Sequence, residues 1–148
     1  MLDKLQNVFS SFQKHQVKYV VIGGVASVLH GVPRATFDLD VLIEASKDNA
    51  VRLLAALLEA GLGTAGMTSP DDLLAHEITI FKDKVRIDVQ TSTPGVVFAT
   101  VWERKVPMTF HGQTFFVISK EDLIASKRAA GRPVDLEDVR ALGEEGKQ

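Results

Sequence analysis

Val21-Ile22-Gly23-Gly24-Val25-Ala26, followed closely by His30-Gly31-Val32-Pro33-Arg34-Ala35-Thr36-Phe37-Asp38-Leu39-Asp40, is the stretch on which the reading of this chain turns. The β-rich run Val17, Tyr19, Val20, Val21, Ile22 reads as a buried strand that stops at Gly23-Gly24. Val25, Val28 and Leu29 then recur at helical spacing, which predicts a short helix with His30 near its C-terminus and Gly31 just beyond it. A strand that runs through two glycines into a helix places uncovered backbone N–H groups where a phosphate can approach closely. Simple turn geometry also accounts for paired glycines, so the reading depends on the residues beyond them.

Those residues are acidic. Ala35 to Ile43 alternates as a second strand, so Asp38 and Asp40 share a face, roughly 6–7 Å apart at Cα, while Phe37, Leu39, Val41 and Ile43 form the apolar face. Paired carboxylates can share divalent cations, and hard oxygens suit Mg²⁺, which keeps waters and adds substrate phosphates; an isolated Asp-x-Asp also fits the solvated face of an edge strand. Farther along, Val85, Ile87 and Val89 alternate with Arg86, Asp88 and Gln90. Asp88 can complete a three-carboxylate cluster, with two metals about 3.5–4 Å apart setting an attacking oxygen and a leaving pyrophosphate in line. Taken alone, Asp88 reads more readily as an exposed residue on a half-buried strand. Arg34 and Thr36 precede Asp38 at two-residue spacing and turn to the acidic face, where Arg34 either holds a triphosphate or pairs with Asp38 or Asp40.

Around this stretch lie 148 residues, 45% hydrophobic and 24% charged, enough for one domain with a modest core. The net charge of −2 gives no whole-molecule attraction to nucleic acid or an anionic membrane, so any anion site must be local. The absence of cysteine removes disulfides, thiolate zinc sites and cysteine nucleophiles together. Met1 to Lys18 carries polar residues too often for a signal peptide or a membrane span, which points to a soluble, cytoplasmic protein.

Leu2, Leu5, Val8, Phe9 and Phe12 predict a first helix running to about His15, and Asn49 to Ala60 predicts another that stops at Gly61. Gly63 to Asp72 reads as a loop. His76 to Phe81 and Lys84 to Gln90 read as strands joined around Asp83, and Val96 to Arg104 as a helical piece. Val106 to Phe110 and Thr114 to Ile118 form a second hairpin around His111-Gly112-Gln113. Ser119 with Asp122 starts a helix that Leu123 to Ala130 continues, and Asp135 with Asp138 repeats the capping pattern for a last helix ending near Leu142. Gly143 to Gln148 reads as a frayed tail. His30 reads as a helix C-terminal residue facing the dipole rather than a general base.

Taken together, Gly23-Gly24, Asp38-Leu39-Asp40 and Asp88 on a later strand resemble the DNA-polymerase-beta-like nucleotidyltransferase superfamily. The run Gly-Gly-x-Ala-x-x-x-His-Gly-x-x-Arg-x-Thr-x-Asp-x-Asp is similar to its minimal prokaryotic branch, which includes abortive-infection and toxin–antitoxin nucleotidyltransferases. Leu123-Ile124-Ala125-Ser126-Lys127, Ala130-Gly131-Arg132-Pro133 and Asp135-Leu136-Glu137-Asp138-Val139 extend the likeness, which spans about Val20 to Leu142. It implies an α+β (α/β-like) nucleotidyltransferase fold with helices packed against a short mixed sheet. The expected organisation is a single domain over residues 1–148, with its core over about 17–118 and a C-terminal helical segment over about 119–142.

The resemblance further implies that Gly23 and Gly24 cradle nucleotide phosphates, that Asp38 and Asp40 bind Mg²⁺, and that Asp88 is the third carboxylate, a metal ligand or the base for an acceptor hydroxyl. Some relatives carry serine where this chain has Gly24, which leaves the backbone to make that contact. Arg34, Thr36, Lys127 and Arg132 complete the nucleotide-binding set, with Lys127 and Arg132 either reaching the phosphates or forming a solvated helix end. The implied reaction moves a nucleoside monophosphate from an NTP to a hydroxyl, with two Mg²⁺ ions, or Mn²⁺ in their place, as cofactors. An RNA 3′ end, a protein hydroxyl and a small molecule such as an aminoglycoside all stay open as acceptors. Val101 to Val134 carries six basic residues against three acidic ones, an excess that could guide an RNA end or serve the NTP alone. The branch also implies a toxin–antitoxin or phage-defence setting with a cognate partner protein. Its rival is a non-catalytic nucleotide-binding or antitoxin-like protein of the same fold.

Overall fold

The alternating and helical patterns resolve into seven α-helices and six strands in the computed structural model, which describes residues 2–36 and 38–145. In chain order these are α1 (Leu2–Lys14), β1 (Tyr19–Ile22), α2 (Gly23–Leu29), β2 (Leu39–Ile43), α3 (Lys47–Glu59), a 3₁₀ turn (Gly63–Met67), α4 (Pro70–Ala75), β3 (Ile78–Lys82) and β4 (Arg86–Gln90). They continue with α5 (Phe98–Arg104), β5 (Val106–Phe110), β6 (Gln113–Val117), α6 (Lys120–Ala130) and α7 (Pro133–Glu145). The strands form one sheet in the order β3-β4-β2-β1-β6-β5. Its centre mixes directions, because β1 is antiparallel to β2 but parallel to β6, and β2 is parallel to β4. The architecture is therefore α+β with a short mixed sheet, as expected.

The apolar runs dictate which strands sit inside. All four residues of β1 are buried, as a central strand covered on both faces requires. Leu5, Val8, Phe9 and Phe12 of α1 pack onto the sheet, and the Phe9 ring stacks on Phe115 with centroids 4.5 Å apart. Burying such a side chain stabilises the fold by about 1.5–3 kcal/mol. The Tyr19 phenol accepts a hydrogen bond from the Phe116 N–H at 3.3 Å, and burial pushes its pKa up. No described helix is long and apolar enough to cross a membrane.

Several boundaries differ from those expected from the sequence. The second strand begins at Leu39 rather than Ala35, because its partner β4 starts at Arg86 and the ladder opens with Leu39 opposite Ile87. The expected loop at Gly63 to Asp72 contains the 3₁₀ turn and the start of α4, where the Ser69 hydroxyl accepts from the Asp72 N–H and Pro70 holds the first turn. The last helix starts at Pro133, so the Arg132 carbonyl accepts the first helical bond and Asp135 sits inside the first turn. It continues to Glu145, past the expected end at Leu142; the rest of the tail, like Phe37, which the sequence assigned to the apolar face, lies outside the described residues. The second hairpin closes over His111 and Gly112 alone, both with positive φ, and pairs Phe110 with Gln113.

Candidate active site

The end of β1 and the start of α2 meet β2 at a point where a side chain has no room. Gly23 has φ +67°, and a Cβ on it would overlap Oδ2 of Asp40. A Cβ on Gly24 would lie 2.9 Å from the Thr36 hydroxyl and 3.1 Å from the Arg34 guanidinium. The two glycines therefore let the acidic strand and the segment before it close onto the strand–helix turn. Facing this turn is a cleft of about 620 Å³, whose walls include Gly23, Gly24, Arg34, Thr36, Asp38, Asp40, Asp88, Lys127 and Arg132. Every position singled out from the sequence as a site residue is thus brought to one concavity.

On the sheet side, register does the positioning. Asp40 and Asp88 are direct partners in the parallel β2–β4 pair, so both carboxylates project from the same face. Burial, followed by the charges of Asp88 and Asp38, pushes the Asp40 carboxyl up to about 6, with Arg86 and Lys127 pulling the other way. Asp88 has a partner that the sequence reading left unassigned. Arg86 Nε donates to Asp88 Oδ1 at 2.9 Å and its Nη2 to Oδ2 at 3.2 Å, while Nε lies 3.8 Å from Asp38. The bond to Asp88 holds the Arg86 guanidinium more firmly protonated. Arg86 stands two residues before Asp88 on the same strand, the spacing that pairs Asp38 with Asp40, and this was the signal that could have found it.

The three aspartates offer only carboxylate oxygens, the donor set a hard divalent cation takes, and among the described residues no hydrogen bond lowers the Asp40 carboxyl. As the side chains stand, no three carboxylates or imidazoles among the described residues converge closely enough to hold a metal. The expected cluster is instead a register pair, Asp40 and Asp88, with Asp38 joined to it through Arg86. The residues fit a hard cation in kind, provided Arg86 gives up Asp88.

The helical wall is an ion-pair network. Lys127 is only 5% exposed, with its Nζ 2.9 Å from Asp138 Oδ2 and 3.6 Å from Asp135 Oδ1. Asp138 also accepts from Arg34 Nη2 at 3.0 Å and from the Ser27 hydroxyl at 3.2 Å. Arg132 forks onto Asp135 through Nε at 2.7 Å and Nη2 at 3.1 Å. Burial alone would raise the Asp135 carboxyl, but the bond to Arg132 and the charges of Arg132 and Lys127 outweigh it and hold it below the usual range.

Three expectations from the sequence change here. Arg34 pairs with Asp138 rather than Asp38 or Asp40, because its side chain crosses to α7, and the strand begins only at Leu39. Lys127 is buried rather than a solvated helix end. Asp135 does accept from the Arg132 backbone N–H, as a cap would, whereas Asp138 lies a turn farther in and is the buried hub for Lys127, Arg34 and Ser27. His30 occupies the C-cap of α2, and its Nε2 bonds the Ile118 carbonyl at 2.7 Å, tying α2 to the end of β6. Within the basic stretch Val101 to Val134, Arg104 pairs with Asp122 and Lys105 lies over the Trp102 ring.

Six solved chains match this fold. One is the crystal structure of a candidate nucleotidyltransferase from Thermotoga maritima, which aligns with a TM-score of 0.62 at 15% sequence identity, over 97% of this chain and 92% of that one. At that identity the likeness concerns the fold. No curated protein matches the sequence. The family model DUF6036, described as nucleotidyltransferase of unknown function, matches residues 1–143. With the match covering nearly its whole length, the chain belongs to this family of nucleotidyltransferases of unknown function.

Proposed function

We propose that this protein transfers a nucleoside monophosphate from an NTP to a hydroxyl acceptor and releases pyrophosphate. The observation that carries the reading is the pairing, across one cleft, of the Asp40–Asp88 register pair with a wall bearing Lys127, Arg132 and Arg34. Triphosphate oxygens lie toward the Gly23 and Gly24 backbone and these cations, where charge-assisted hydrogen bonds are strongest. Asp38, Asp40 and Asp88 would hold Mg²⁺ or Mn²⁺, which when bound neutralises charge on the attacking and leaving oxygens. Asp88, freed from Arg86, takes the proton of the acceptor hydroxyl as that oxygen bonds to the α-phosphorus and the bond to pyrophosphate breaks. A toxin–antitoxin or phage-defence setting, with a cognate partner protein, rests on the sequence resemblance.

The Arg86 clamp favours one other reading, a nucleotide-binding protein without transfer, in which an internal cation permanently neutralises Asp88. Incubation with each α-labelled NTP, Mg²⁺ and cell extract separates the two. Transfer leaves covalent label on an RNA, a protein or a small molecule, and Asp40→Asn abolishes it. A binder gives only reversible NTP association.

A further inference from the structure

A second cavity, of about 450 Å³, meets the nucleotide cleft at Thr36 and Asp38 and extends toward the β3–β4 turn and the start of α1. Its lining brings Lys4 from α1 together with Lys82, Lys84 and Arg86 from the hairpin, against only Asp38 and Asp83. On a chain whose net charge is −2, this is a local excess of two positive charges. Lys4, Lys82 and Lys84 are exposed, and the salt bridges among the described residues here engage Arg86 alone.

In-line displacement sets the attacking and leaving oxygens on opposite sides of phosphorus. With pyrophosphate leaving toward Lys127 and Arg132, the acceptor must come from the other side of the carboxylates. The second cavity reaches Asp38 without contacting either of those cations. Its charge repels an amine-rich small molecule such as an aminoglycoside and attracts phosphates. We infer that this cavity is the acceptor channel and that it takes the phosphate backbone of a single-stranded RNA whose terminal hydroxyl passes Asp38 into the cleft that Asp88 lines. The inference rests on the nucleotidyl-transfer reading and supplies its acceptor class. The lysines hold the strand by its phosphates, which makes binding electrostatic and tolerant of sequence.

The test uses the full chain and a fluorescent single-stranded RNA of about twelve nucleotides with a free 3′ hydroxyl. Three lysine contacts predict a log–log salt slope near −2 for a single strand, or about a 20-fold loss of affinity between 50 and 200 mM salt. The triple variant Lys4→Gln, Lys82→Gln, Lys84→Gln should bind this RNA at least about tenfold more weakly at 50 mM salt, with a flattened slope. Its affinity for ATP with Mg²⁺ and its melting temperature should match the wild type, since all three substitutions are exposed. Unchanged RNA binding in the triple variant overturns the channel and leaves nucleotidyl transfer standing. The channel is equally overturned if an acidic serine- or tyrosine-bearing peptide, and not RNA, competes for the cavity. If the wild-type protein binds no NTP with Mg²⁺, the nucleotidyl-transfer reading falls and the acceptor channel falls with it.

Discussion

Asp40→Asn separates a functional carboxylate from a structural one, because the structure places a cost on keeping Asp40 charged. Burial and the neighbouring Asp88 and Asp38 raise its pKa from 3.8 to about 6. That difference corresponds to about 3 kcal/mol at most, and the partial exposure of the side chain reduces a realistic figure to about 1–2 kcal/mol. The folded protein holds this proton in a window where the unfolded chain has lost it. Stability contributed by the group is therefore full below about pH 4, falls as pH rises, and is lost above about pH 6. Asparagine fits the same space beside Gly23 and cannot ionise. Without divalent cations, Asp40→Asn should match the wild type at pH 4 and exceed it by about 1–2 kcal/mol at pH 8, a rise of about 3–6 °C in melting temperature for a chain of this size. Urea and thermal unfolding at both pH values measure this, and the labelled-NTP assay should show transfer lost in the same variant. A variant less stable than wild type at pH 8, or one that still transfers, refutes the assignment of Asp40 as a carboxylate held at a stability cost for the reaction.

Asp88→Asn should retain NTP binding while single-turnover transfer falls by about 10²-fold or more; transfer at the wild-type rate removes Asp88 from the site. Asp138→Ala leaves the buried Lys127 ammonium with only the more distant Asp135 and should cost about 3–5 kcal/mol in urea unfolding, so a loss under about 1 kcal/mol contradicts the hub role. Arg132→Ala should weaken NTP binding by about 1–3 kcal/mol if its guanidinium reaches phosphate, and calorimetry showing no change assigns it to holding Asp135 alone. Arg86→Gln should tighten Mn²⁺ binding to the nucleotide-free protein, read by titration calorimetry, because Asp88 no longer carries a competing internal cation; unchanged affinity shows that the clamp does not oppose metal.

The parts legible from sequence are those encoded by local period and local geometry. Two-residue spacing put Asp38 with Asp40, and the alternation of Val85, Ile87 and Val89 put Asp88 on the polar face of its strand, so the cleft could be assembled before any strand order was known. The sheet order was not legible, since β1 lies beside β6 through a contact between segments nearly a hundred positions apart, Val21 opposite Val117. Long-range pairing likewise hid the ion network. Asp138 has an ordinary helix-cap look in its own neighbourhood, and only the packing of α7 on α2 and α6 makes it the partner of Arg34, Ser27 and Lys127. The short α4 was missed for a different reason. Its Ser69-Pro70-Asp71-Asp72 start is a local capping signal, but the glycines before it dominate the composition of the stretch.

The two ion networks of the cleft have opposite imbalances, and this bears on what the cleft selects. On the sheet face, Asp38, Asp40 and Asp88 stand against Arg86, a net charge of −2; on the helical wall, Arg34, Lys127 and Arg132 stand against Asp135 and Asp138, a net of +1. A bare triphosphate satisfies the wall and is repelled by the sheet face. A bare divalent cation is drawn to the sheet face but must first displace Arg86 from Asp88, with no phosphate to receive the guanidinium. When both enter together, the phosphates can take Arg86 as the carboxylates release it, so the two binding events assist each other. The coupling predicts that Arg86→Gln makes metal and nucleotide binding more nearly independent, with the NTP affinity ratio measured with and without Mn²⁺ shrinking toward one. A ratio equal to that of the wild type would place the coupling in direct metal–phosphate contact alone and leave Arg86 outside it.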